Sequence, residues 1–202
     1  MSVAPGLLDR QQMPLYDRVI IAVAVATTNP IQFFTVPIGS GTGVNGSKQI
    51  WDTNMTQASR LESPRSFIVR ALRVYFEGDI AVLDLLNFFK NYIVVLIVGE
   101  KTYQQAPLWF HPAGGGALIN GNLSTARLAS TINESAVSNG MPDPRAINVL
   151  DVPLAVKIDQ NENFRVEFQG NSFTTQAAGG TVFGTGAGIR VVLDGELTRQ
   201  VQ

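Results

Sequence analysis

A chain of 202 residues, 45% hydrophobic and only 15% charged, is long enough for one sizeable core and too apolar for a disordered polymer. Fifteen Lys and Arg against sixteen Asp and Glu leave a net charge of −1, with no basic cluster to neutralise phosphates, so direct nucleic-acid binding is not expected. The absence of cysteine excludes disulfides, thiolate metal sites and cysteine nucleophiles together.

Residues 1–16 contain Pro and Gln and follow no hydrophobic period, which reads as an N-terminal arm lying on the body or on a neighbour. Residues 17–202 then read as a single domain. The opening residues lack the basic-then-apolar order of a secretory leader. Neither Val19–Ala26 nor the stretch 80–98, interrupted by Asp84, Asn87, Lys90 and Asn91, qualifies as a transmembrane helix.

Two apolar runs, Asp17–Thr28 and Ile31–Pro37, are split by Asn29-Pro30 and predict two strands or one broken strand. A glycine-rich loop follows, and Asp52 or Thr53 caps a predicted short helix over Thr53–Leu61. Ser66–Glu77 is the clearest strand. Ile68, Leu72, Val74 and Phe76 fall on one face, and Phe67, Val69, Ala71 and Tyr75 on the other. Apolar residues on both faces predict a central strand between two layers, or one covered by a partner.

Asp79 caps a second predicted short helix running to Lys90, with Ile80, Leu83 and Leu86 near i, i+3 and i+6. Tyr92–Val98 and Thr102–His111 predict further strands, and 112–150, rich in Gly, Ser, Asn and Pro, predicts a long functional excursion. Val152–Ile158, a polar turn at 161–163, Phe164–Gln169 and Ile189–Leu197 complete the pattern. Phe164, Val166 and Phe168 alternate with Arg165, Glu167 and Gln169, as in an antiparallel strand buried on one face. The expected fold is all-β: an eight-stranded antiparallel jelly roll, a two-sheet β-sandwich with one or two short helices and long loops.

The residues that carry chemistry do not assemble into a familiar site. His111 is the only histidine, which rules out a histidine-cluster metal site, and no nucleophile elbow accompanies it. Gly41–Lys48 has the glycine gap of a phosphate-binding loop, but Ser47 stands where lysine is needed. Gly184–Gly188 lacks dinucleotide-fingerprint spacing. The pairs Asp79/Asp84, Asp151/Asp159 and Glu162/Glu167 read as solvated strand and helix ends rather than glycosidase carboxylates. No catalytic, cofactor-binding or metal-binding residue is therefore expected, and the chain does not read as an enzyme. Trp51, Trp109 and Phe110 are the candidate interface residues, because large aromatics anchor subunit contacts.

Thr53-Asn54-Met55, the strand Phe67–Phe76, the run Val98–Tyr103 leading to Pro107-Leu108, the loop 112–116, and Asn163–Val166 resemble segments of the single jelly-roll capsid proteins of tailless icosahedral bacteriophages. The resemblance covers about a third of the chain. It implies a structural subunit that assembles laterally with copies of itself into capsomers of an icosahedral shell, made in the host cytoplasm and located in the virion. The implied partners are other copies, other capsid or vertex proteins, and a viral membrane beneath the shell. A receptor- or carbohydrate-binding β-sandwich, such as a spike or fibre head, is the alternative. Such a module would gather aromatics and carboxylates in one compact patch, whereas a shell protein would bury patches on several sides.

Overall fold

The computed structural model describes residues 8–22, 24–43, 46–77, 82–111, 118–120, 135–137, 149–150, 152–175 and 187–200. Eleven strands lie in these residues: β1 (Leu8–Gln12), β2 (Leu15–Ile21), β3 (Ile31–Phe33), β4 (Ser66–Glu77), β5 (Tyr92–Val98), β6 (Lys101–Pro107), β7 (Leu118–Asn120), β8 (Ser135–Val137), β9 (Val156–Ile158), β10 (Phe164–Gly170) and β11 (Ala187–Gln200). One helix, α1 (Val82–Asn91), joins β4 to β5.

Two antiparallel sheets form the sandwich. One runs β2-β11-β4-β9 and the other β3-β10-β5-β6. Among these eight strands the chain changes sheet at every step except the β5–β6 hairpin, the order of a jelly roll, so the all-β expectation stands. The remaining strands add to this frame: β1 continues the β2 edge along the far half of β11, and β7 pairs with β8 within the excursion after β6. Leu8 pairs with Gln200, and Leu15 with Leu193. Residues 8–12 and 15–16, assigned above to the arm, thus enter the sheet, and the boundary drawn at residue 17 falls within β2. Residues 1–7 lie outside the described residues.

Leu15 is buried in the core. A chain lacking residues 1–16 is expected to lose more than about 2 kcal/mol, from that side chain and the β1 ladder together. A lowered urea midpoint would show it, and an unchanged midpoint would contradict it.

The core fills from both sheets with Phe33, Phe67, Val69, Leu72, Val74, Val94, Leu96, Phe164, Val166, Phe168, Val191 and Leu193. The two-faced reading of β4 is corrected here. Val69 pairs with Gly195 and Ala71 with Asp194, so Arg70 is an extra residue and the strand carries a β-bulge. Because side chains alternate with period two, one extra residue exchanges the faces. Phe67 and Val69 before the bulge, and Leu72, Val74 and Phe76 after it, all reach the same core. One inward face, split by a bulge, accounts for the pattern.

The predicted helix at Thr53–Leu61 is absent. Asp52 instead closes a tight turn before it, and the Thr53 hydroxyl and Asn54 N–H both donate to the Tyr16 carbonyl on β2. The sheet edge takes the backbone groups that a helix would have used. The second predicted helix exists as α1, but Leu85 and Phe88 are its fully buried residues while Leu83 is exposed. Phe88 packs against Phe76, Tyr92 and Phe173, which fixes the helix face. Asp79 and Ile80 lie outside the described residues.

Candidate functional site

One exposed apolar pair among the described residues, Ile50 and Trp51, is positioned from β2. On this strand Leu15, Asp17, Val19 and Ile21 alternate inward, which carries one carboxylate into the core rim. Asp17 is fully buried. Its Oδ1 accepts from the Lys48 ammonium at 2.6 Å, and its Oδ2 accepts the Phe34 N–H at 2.7 Å. Burial pushes the Asp17 carboxyl above its ordinary range, opposed by Lys48, the Phe34 N–H and, more weakly, Thr53. Phe34 adopts φ +68°, which costs a bulky residue on the order of 1–3 kcal/mol, and the Asp17 bond holds it there.

The Lys48 pair anchors the segment that follows. Asp52 and Thr53 donate their N–H groups to the Gln49 carbonyl, and the Asp52 carboxylate accepts the Gln49 N–H at 3.0 Å. Thr53 bridges Asp17, so this turn runs alongside β2 and covers its outer edge. At its apex stand Ile50 and Trp51, both more than half exposed. Their carbonyls are nonetheless bonded, Ile50 by the Tyr16 hydroxyl at 2.5 Å and Trp51 by Arg190 at 2.8 Å. The apolar pair is thus presented on a braced backbone, which lowers the ordering entropy a partner must overcome.

A second cluster lies across the sheet. After β6 a 3-10 turn, Leu108–Phe110, buries Leu108 and exposes Trp109 (63%) and Phe110 (41%). The next carbonyl, of His111, accepts the Val74 N–H, placing the turn beside β4. Between the two clusters lie β2, β11 and β4. That makes four interstrand steps, roughly 19 Å. Trp109 and Phe110 meet edge to face, whereas Trp51 stands at the opposite edge. The structure therefore joins two of the three candidate residues and separates the third.

The outer face of the same sheet is charged but largely self-neutralised. Arg70 pairs with Glu196, Arg73 with Asp194, and Arg18 with Asp52. On the other sheet, Glu167 is bound by Arg165, Gln169 and Gln32. Burial opposes its charged form, but these donors outweigh it and hold the carboxyl below its ordinary range. Among the described residues no three His, Asp or Glu side chains gather as a metal site would require. Asp159 pairs with Lys157, and Glu162 accepts the Asp159 N–H, so these two carboxylates serve their own turn. Asp79, Asp151 and Gly184 lie outside the described residues.

Sequence reasoning singled out Trp51, Trp109 and Phe110 as interface candidates but missed Asp17 and Lys48. The inward phase of Asp17 was available from Leu15, Val19 and Ile21. Nothing local identifies Lys48 as its partner. In comparisons with known proteins, no family model, no curated protein and no solved structure matches the chain.

Proposed function

We propose that the chain is a structural subunit that packs laterally on copies of itself, in the manner of jelly-roll capsid proteins of icosahedral viral shells. The observation that carries this reading is the placement of Ile50-Trp51 and Trp109-Phe110 on opposite edges of one sheet. Lateral assembly into rings needs two different surfaces on each copy, one meeting the other on the neighbour. A platform for a sugar or receptor would instead bring its aromatics together, and here three strands lie between them. The jelly-roll order adds support, being an architecture of capsid and lectin domains alike. The resemblance noted above favours the first of these.

Light scattering and negative-stain microscopy of purified protein test the proposal. Assembled species are expected as concentration rises. Trp51→Ser and Trp109→Ser are each expected to weaken the contact by about 2 kcal/mol, roughly 30-fold, as for a central aromatic anchor. Neither should change the far-UV circular dichroism of the monomer, because both side chains are exposed. A strict monomer at every concentration, salt and pH would sink the proposal.

A further inference from the structure

We infer that His111 is a pH-responsive latch on the Trp109–Phe110 edge, releasing that edge when its ring takes up a proton. The inference rests on the reading of this edge as a subunit contact and adds a means of regulating it. Its basis is geometric. His111 follows directly on the exposed aromatics, and its ring lies edge-on to Phe110 at 5.5 Å. Its main chain closes the turn, the N–H donating to the Leu108 carbonyl and the carbonyl accepting the Val74 N–H. The residue is 2% exposed, and neither ring nitrogen has a hydrogen-bond partner. A buried polar group left unsatisfied in this way stands near the limit of what its site tolerates.

Among the side chains described, the elements packed on the turn present no carboxylate without a partner of its own. The turn packs against β4, β5 and α1. On β4, Arg70 and Arg73 are engaged with Glu196 and Asp194 on the sheet's outer face, where Tyr75 also lies. On β5, the Tyr92 hydroxyl is bonded to Thr27 and Thr28. On α1, Asp84 is buried with an interaction of its own, and Lys90 is exposed. Burial is the dominant influence on the ring and lowers its pKa to about 4. The Leu72 backbone, out of hydrogen-bond geometry, is the one opposing influence.

The sign follows directly. Seated, the ring stays neutral down to about pH 4, whereas a ring released to solvent titrates near its ordinary 6.5. Between those values only the released form binds the proton. The ratio of released to seated turns therefore rises as pH falls, by up to about 300-fold, and is unaffected above pH 7. Release withdraws the cap from Val74 and moves Trp109 and Phe110 together, because they share the turn.

The test follows Trp109 fluorescence in a Trp51→Phe background, with light scattering of the chain that keeps Trp51 in parallel, from pH 7.5 to 4. A shift in Trp109 emission within that window is expected, with loss of assemblies over the same range. His111→Phe, which fills the slot without titrating, should abolish both changes. His111→Leu provides the same comparison if the larger ring disrupts folding. An identical transition in the histidine-free variants, or none in the parent chain, overturns the latch. The two readings separate cleanly: a His111-dependent fluorescence change in a protein that never assembles would uphold the latch and refute the subunit. Assembly with a pH-silent Trp109 would do the reverse.

Discussion

Lys48→Met is expected to destabilise the chain by about 3–5 kcal/mol near neutral pH, the loss typical when one partner of a buried ion pair is removed. The Lys48 ammonium and the Asp17 carboxylate sit 2.6 Å apart and are both buried. Without Lys48, the carboxylate keeps only the Phe34 N–H and Thr53. Its pKa, already raised by burial, then rises further, since Lys48 is the largest influence pulling it down. In the variant the folded state therefore binds a proton that the unfolded state has lost. The sign is that of a carboxylate raised by burial, stronger in the variant than in the parent: the variant is least damaged near pH 4 and loses stability as pH rises towards neutrality. Urea titrations at pH 4.5 and 7.5 would measure the difference. Asp17→Asn combined with Lys48→Met should recover most of the loss, because no buried charge remains and the amide oxygen still accepts from Phe34. A double variant as unstable as the single one would show that packing, and not charge, makes this site important.

Gly195→Ala is the second large expected effect, also about 3–5 kcal/mol. Gly195 faces Val69 at the β4 bulge, and a Cβ there would collide with the Ile68 carbonyl oxygen and crowd the Phe67 ring. Backbone cannot move aside as a flexible side chain can, so the β11–β4 ladder must part locally. Hydrogen exchange should show lost protection at residues 66–70 and 195–198, while β5 and β10 keep theirs. Full protection at 66–70 in this variant would count against the account of the bulge.

These two sites also show where the sequence is legible. The alternation in Phe164–Gln169 predicts both β10 and its inward face, because an antiparallel strand covered on one side writes its burial directly into its period. Tyr92–Val98 is equally plain through length and β-branching. The bulge is not legible: an extra residue at Arg70 exchanges the faces, and the resulting mixture has the same appearance as a strand buried on both sides. The helix expected after Asp52 fails for a different reason. Asp52 closes the turn that precedes it and Thr53 donates to the Tyr16 carbonyl, and only the folded sheet supplies that competitor. For the candidate site, an interface role for Trp51, Trp109 and Phe110 could be proposed from residue type, yet their exposure and their division between two edges depend on the folded chain. Lys48 and His111 owe their character wholly to burial by residues distant in the chain.

The arrangement around β11 bears on how the molecule comes into being. This strand alone pairs with β1, β2 and β4, and its register joins Leu8 to Gln200 and Ile21 to Ala187. Nearly the whole of one sheet therefore consists of contacts between segments far apart in sequence, the condition that makes two-state folding slow. During synthesis β1 and β2 emerge long before their partner, and at ordinary elongation rates they wait roughly ten to thirty seconds for it. Over that interval the inward residues Leu15 and Ile21 have no sheet to enter. The chain's yield should therefore depend more on the rate at which β11 is delivered than on the stability of the finished sandwich.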